Sequence, residues 1–249
     1  MKIKHYQYNA FLIEDGNTKL VIDPGYYVKL FKMKSLIPKS EWEDITHILV
    51  THGDPDHYVD AERIALKSSA PVVCGNGLTK MIDGKLMVVN PCKNGLKSWI
   101  QLENVHPIDV GDRITLQDVT IEGVKTQHGS IYIPILGMKI RKTPGPKERT
   151  GLGAIGFKIN INGNTILNLG DSLLKEEWKG IKPDVLMIPI GGLGNNTWTM
   201  DIPDAVEAVK LIEPKMVIPC HYNVPFLLKK NAAPADELFF KNEVEKMDI

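Results

Sequence analysis

His52-Gly53-Asp54-Pro55-Asp56-His57 follows the apolar run Ile48-Leu49-Val50 and sets four candidate metal ligands on one short turn. Imidazole and carboxylate are the side chains that hold first-row divalent metals in hydrolytic sites. Ligands two to five residues apart on a turn can converge on one or two ions. A capped, solvated turn ahead of a helix is the plain alternative, since Asp and Pro are common there. Packing gives no reason for so many ligands in so short a stretch.

Working outward, short runs rich in Val, Ile and Leu predict strands over 10–14, 19–23, 47–51, 71–74, 85–89, 113–116, 119–126, 154–161, 165–169, 184–189 and 215–219, as buried strands read. Helical spacing predicts a helix over 60–68, where Ala61, Ile64 and Ala65 share a side behind Asp60 as N-cap. Two more are expected over 203–212, opened by Pro203, and over 235–247. The halves echo each other: strand, polar loop, helix, strand over 47–74, and again over 184–219. Such halves stack two sheets face to face beneath outer helices and gather ligands where loops meet at the sheet ends. Three further candidates, His128, Asp171 and His221, each follow a predicted strand. A rigid sheet can aim such residues into one cleft.

At 249 residues with 43% hydrophobic content the chain is read as one domain, 1–249. Thirty basic residues balance thirty acidic ones, so no global field draws it to nucleic acid or an anionic membrane. No apolar run approaches the roughly 18 residues of a membrane span, and Met1-Lys2-Ile3-Lys4-His5-Tyr6 is not a signal-peptide core. A cytoplasmic location is the expectation. Cys74, Cys92 and Cys220 show no CxxC spacing, which argues against a disulfide framework and a Cys-rich zinc knuckle. A Cys220-His221 nucleophile pair is disfavoured because neighbours in a strand point to opposite faces. His106 is read as a surface residue. The basic segment 139–153, with Lys139, Arg141, Lys142, Lys147 and Arg149, is a lid, an anion patch or simply a solvated loop. Ile190-Gly191-Gly192-Leu193-Gly194 lacks the Lys-Ser/Thr of a P-loop.

The order Asp23 in Leu20-Val21-Ile22-Asp23-Pro24-Gly25, then the His52 motif, His128, Asp171 and His221, resembles the metallo-β-lactamase superfamily over nearly the whole chain. Pro189-Ile190-Gly191-Gly192, Thr199-Met200-Asp201 and Ile218-Pro219-Cys220-His221-Tyr222-Asn223 are similar to its small bacterial and archaeal hydrolases, a branch that includes the ascorbate-6-phosphate lactonase type. The resemblance implies an α/β fold, an αββα sandwich of two packed mixed β-sheets with helices on the outer faces. It implies two divalent metal ions, the first held by His52, Asp54 and His128, the second by Asp56, His57 and His221, with Asp171 bridging. Asp23 would support the histidine loop from behind. The implied activity is hydrolysis by a metal-bound hydroxide, with Asp56 orienting the nucleophile as the catalytic carboxylate. Asn195, Trp198 and Tyr222 lie on loops expected to border the cleft and to touch a small-molecule substrate.

The family's usual His stands where this chain has Asp54. An added carboxylate oxygen favours harder ions, which leaves zinc, manganese and iron open. Three clustered carboxylates without metal would repel one another, so metal should stabilise the fold. Where the lactonase-type branch has Gly-His-Ser, this chain has Gln7-Tyr8-Asn9, so the substrate stays open between an ester, a lactone and a phosphorylated metabolite. A carboxylate at position 54 also resembles the di-iron flavoproteins that reduce oxygen or nitric oxide, although only a short tail follows His221. A non-catalytic metal-binding module is the third reading. Loops around Trp42 and Trp99 are candidates for contacts in a homo-oligomer.

Overall fold

Two six-stranded sheets take up the strands in chain order. The computed structural model describes residues 1–29, 32–90, 98–135, 138–144, 150–194, 197–225 and 231–249. The first sheet runs β1 (Lys2–His5), β2 (Phe11–Asp15), β3 (Thr18–Ile22), β4 (His47–Val50), β5 (Val72–Gly75) and β6 (Val105–Ile108). The second runs β7 (Arg113–Leu116), β8 (Val119–Val124), β9 (Gly156–Ile161), β10 (Asn164–Asn168), β11 (Val185–Pro189) and β12 (Val217–Cys220). Each sheet begins antiparallel, through β3 and through β10, and ends parallel. The parallel steps need crossovers. Helix α2 (Ala61–Ser68) joins β4 to β5, and α3 (Ile202–Ile212) joins β11 to β12, so the echo between the halves is structural.

Register and the period of two sort the side chains into layers. Ile22 pairs with Leu49 and Leu49 with Val73. These three face the second sheet and share a fully apolar layer with Ile121, Phe157, Ile159 and Ile166. Their neighbours Val21, Ile48, Val50 and Val72 point the other way, onto Ala61, Ile64 and Ala65 of α2. On the far side, Leu167, Leu186 and Ile188 pack beneath Ala205, Val209 and Ile212 of α3 and Phe240 and Val244 of α4 (Glu237–Glu245). Fully burying one aliphatic side chain contributes about 1.5–3 kcal/mol, which suffices to hold short helices that would not persist alone. The result is the αββα sandwich expected from the sequence.

Local chemistry sets the helix ends. The Asp201 carboxylate accepts from Asp204 N at 3.1 Å and opens α3, and Asp236 does the same for Phe239 N at 2.9 Å in α4. Asp60 does not cap α2 as expected; its carboxylate turns to the Arg63 guanidinium at 2.8 Å. Strands β1 and β6 escaped the sequence reading because both lie on edges, where lysines and Pro107 replace the apolar run. Residues 139–142 are not loop but the second strand of a hairpin, Ile131–Ile135 with Met138–Lys142; Lys147 and Arg149 lie outside the described residues, as does Cys92. The indole of Trp42 is buried and donates to Ile37 O at 3.1 Å. The residues on either side of it, 38–40 and 43–44, are exposed. Trp99 is half-buried in a strand pairing with Lys85–Val89. Among the described residues no helix is long and apolar enough to cross a membrane.

Candidate metal centre

The ligand candidates all emerge where parallel or central strands end. Thr51 and His52 follow β4, and the rest of the motif is not a plain loop. It folds into a single helical turn, α1 (Pro55–Tyr58), with Pro at its opening. Asp54 stands before that turn with extended backbone and caps nothing with its side chain, which leaves the carboxylate for the cleft. The turn sits on Gly25: a Cβ there would lie 2.0 Å from the Asp56 carbonyl and 2.5 Å from His57 N. From the second sheet come His128, beyond β8, Asp171, beyond β10, and His221, directly after β12 with a left-handed backbone at φ 51°.

These side chains meet. Asp54 Oδ2 lies 3.3 Å from His52 Nε2 and 3.3 Å from His128 Nε2. Asp56 Oδ2 lies 3.4 Å from His57 Nε2 and 3.4 Å from His221 Nε2. Asp171 Oδ2 reaches across both sets, 3.1 Å from His221 Nε2, 3.6 Å from His57 Nε2 and 3.8 Å from His128 Nε2. Ligand atoms of His52, Asp54 and His128, of Asp56, His57 and His221, and of His52, His57 and Asp171 each fall within 4.8 Å of one another. Six of the seven side chains are nearly inaccessible, while the Asp56 side chain keeps 26% of its surface open.

Buried polar groups are normally hydrogen-bonded. Here His52 Nε2, His57 Nε2, His221 Nε2 and Asp171 Oδ1 have no hydrogen-bond partner among the described residues. These orphaned atoms belong to the same cluster, and a cation is the partner that imidazole nitrogen and carboxylate oxygen would share. The residues fit a metal centre on that ground.

Outer contacts fix two of the imidazoles. His57 Nδ1–H donates to Asp23 Oδ2 at 2.6 Å, and His128 Nδ1–H to Gly129 O at 2.7 Å, so each presents Nε2 to the cleft. Asp23, buried at the end of β3 with φ 47°, also accepts from Thr51 N at 2.7 Å and Thr51 Oγ1 at 2.6 Å. Burial alone would raise the Asp56 carboxyl, yet the charges of His57 and His221, each 3.4 Å away, hold it well below the usual range. Asp54 and Asp171 are likewise lowered against their burial, chiefly by His52 and by His221 and His57 respectively. His57 and His221 move upward despite burial, through the facing carboxylates. Burial lowers His128. The expected repulsion among three carboxylates is thus offset by the imidazoles interleaved with them.

Other sequence candidates divide. Trp198 is half-buried and hydrogen-bonded through its backbone to Gly129 and Ser130, beside His128. Tyr222 does not face the cleft: it packs on the α3–α4 layer, and burial and the influence of Glu237 push its hydroxyl up to about 12. Its neighbour His221 already takes the cleft side of that turn. Asn195 lies outside the described residues. Cys220 is buried beneath the centre, and its thiol contacts Asn9 Oδ1 at 3.3 Å rather than His221. Asn9 and Asn168, both fully buried behind Asp23, were missed. The signal was present for Asn168, since it shares the inward face of β10 with Ile166.

The chain matches the family described as the beta-lactamase superfamily domain over residues 2–221. A UPF0173 metal-dependent hydrolase of Carboxydothermus hydrogenoformans is 32% identical over 231 residues, covering 90% of this chain and 85% of that protein. Another, of Nanoarchaeum equitans, is 30% identical over 253 residues, 100% of this chain and 94% of its own. Igni18, a metallo hydrolase from Ignicoccus hospitalis, shares the fold with a TM-score of 0.67 at 22% identity, over 99% of this chain and 91% of that one. Fold and cluster together define the metallo-β-lactamase class. The chain belongs to the β-lactamase superfamily and, within it, to the UPF0173 metal-dependent hydrolases.

Proposed function

We propose that this hydrolase works with two divalent metal ions on a small-molecule ester, lactone or phosphorylated metabolite, as a single domain in the cytoplasm. The observation that carries the reading is the set of buried, unpartnered donor atoms on His52, His57, His221 and Asp171. His52, Asp54 and His128 would hold one ion, Asp56, His57 and His221 the other, with Asp171 between them. Bound metal supplies Lewis acidity, lowering the pKa of a water toward neutrality and polarising the bond to be cleaved. Asp56, the ligand side chain that stays partly open to solvent, would orient the attacking water. Asp23 holds His57 in one tautomer. The burial of the remaining ligands excludes bulk water and strengthens each of these interactions. Trp198 and Asn195 are the side chains proposed to touch substrate. Balanced charge speaks for a small molecule over nucleic acid, and a homo-oligomer is compatible with the fold.

Asp54 supports one alternative, an iron-loaded redox centre, because a carboxylate in the usual His position suits harder ions. Anaerobic purification with metal quantification, beside a screen of lactones, phosphodiesters, thioesters and β-lactams, separates the readings. Two ions and turnover lost on Asp171→Ala are expected. Iron with redox turnover would select the alternative, and one ion without turnover a binding module.

A further inference from the structure

The seven cluster residues come from two sheets, and a polar bridge joins those sheets directly beneath them. Asn9 Nδ2 donates to Asp23 Oδ2 at 2.6 Å and to Asn168 Oδ1 at 3.0 Å. Asn168 Nδ2 returns a bond to Asn9 Oδ1 at 3.0 Å, so the two amides pair reciprocally. Asn168 Oδ1 also accepts Gly170 N at 3.0 Å, one residue before Asp171. Cys220 Sγ, one residue before His221, contacts Asn9 Oδ1 at 3.3 Å; burial keeps that thiol protonated, hence a donor. Both asparagines are fully buried. The acceptor-only carboxylate of Asp23 fixes which way the Asn9 amide points, and Asn9 fixes Asn168.

We propose that Asn9 and Asn168 are positioning residues for the metal centre, coupling His57, through Asp23, to the Asp171 and His221 turns of the opposite sheet. The apolar layer between the sheets sets their spacing but has no direction. A reciprocal amide pair does have direction, and in a dry interior it is costly to leave half made. It therefore fixes the height of the first-sheet ligands against those of the second. Neither a carboxylate nor an apolar residue fits position 9: a carboxylate would face Asp23 across 2.6 Å, and an apolar side chain would strip Asp23 and Asn168 of a partner. The proposal rests on the cluster being a metal centre.

The test measures Zn(II) affinity by chelator competition in wild type, Asn9→Ala, Asn168→Ala, the double variant and Asn168→Asp, with the His57 Nδ1–H proton followed by NMR. Affinity should fall about 10–100-fold in Asn9→Ala, the range for partners that orient a metal ligand, and the His57 resonance should move. The double variant should fall no further than Asn9→Ala, since both act through one path. Asn168→Asp keeps the acceptor for Asn9 and Gly170 but sets a second oxygen against Asn9 Oδ1 at 3.0 Å, and should lose at least as much as Asn168→Ala. Asn9→Ala with wild-type affinity and an unmoved His57 proton would overturn the proposal. If the variants do not fold, Zn(II) added to wild type labelled at asparagine nitrogen should shift both side-chain amides; unmoved amides overturn it equally. Wild type that takes up no Zn(II) at all would instead overturn the metal-centre reading beneath it.

Discussion

Asp54 and His128, supplied by different sheets, bring Oδ2 and Nε2 within 3.3 Å of each other. The carboxylate is held there by a hydrogen bond from Gly151 N at 3.1 Å, with His52 Nε2 facing it at 3.3 Å. Asp54 is thus built into the cluster as an oxygen donor where the family usually has nitrogen. Asp54→His should lower the ratio of Mn(II) to Zn(II) affinity by about tenfold, equivalent to about 1.4 kcal/mol. Competitive loading with both ions reads it directly; an unchanged ratio would show that this position does not set metal preference.

Asp171 is the carboxylate that reaches both ligand sets, and one of its oxygens is buried without a partner. Asp171→Ala should therefore reduce metal content and lower kcat/KM by more than the roughly 100-fold upper range for outer contacts. Asp23→Asn leaves every ligand in place but disturbs the contacts that Asp23 makes to His57, Thr51 and Asn9, and should fall within about 10–100-fold in metal affinity. Equal losses in the two variants would remove the distinction drawn between a ligand and its support.

Gly25→Ala tests how α1 is seated. The added methyl would overlap the Asp56 carbonyl, and backbone cannot swing aside as a flexible side chain does. Expected is a stability loss of about 1–3 kcal/mol or more, read as a fall in Tm. Metal content should fall with it, because Asp56 and His57 ride on that turn. Full metal content at a lowered Tm would mean that the turn adjusts without moving its ligands.

Metal removal and pH are linked through His57 and His221, whose facing carboxylates raise them above the ordinary imidazole value of 6.5. A raised folded-state value stabilises the metal-free fold fully below about pH 6.5, and that contribution is lost as pH climbs through the raised values. Metal must displace the same protons, so its affinity grows over the same window. A chelator should accordingly lower Tm more at pH 9 than at pH 6. Metal at about 100 times its Kd contributes about 2.7 kcal/mol, or roughly 5–10 °C for a chain of this size. A shift larger at pH 6 would contradict the assignment.

Much of this architecture was written locally. The central strands β4 and β11 read as unbroken apolar runs because both of their faces are covered, and α3 announced itself through Pro203 and its apolar spacing. The ligand types and their order along the chain were equally plain, since His and Asp clustered at strand ends are rarely needed for packing. Edge strands β1 and β6 were not legible, because a strand with one exposed side carries little apolar signal.

By itself, then, the sequence determined the layers and named the seven side chains, both consequences of short-range periodicity and residue chemistry. Only the tertiary structure decided which imidazole faces which carboxylate, that Tyr222 turns toward Glu237 and away from the cleft, and that Asn9 meets Asn168 beneath Asp23. Those contacts join residues far apart in the chain, and their geometry depends on how two sheets pack, which no local pattern encodes.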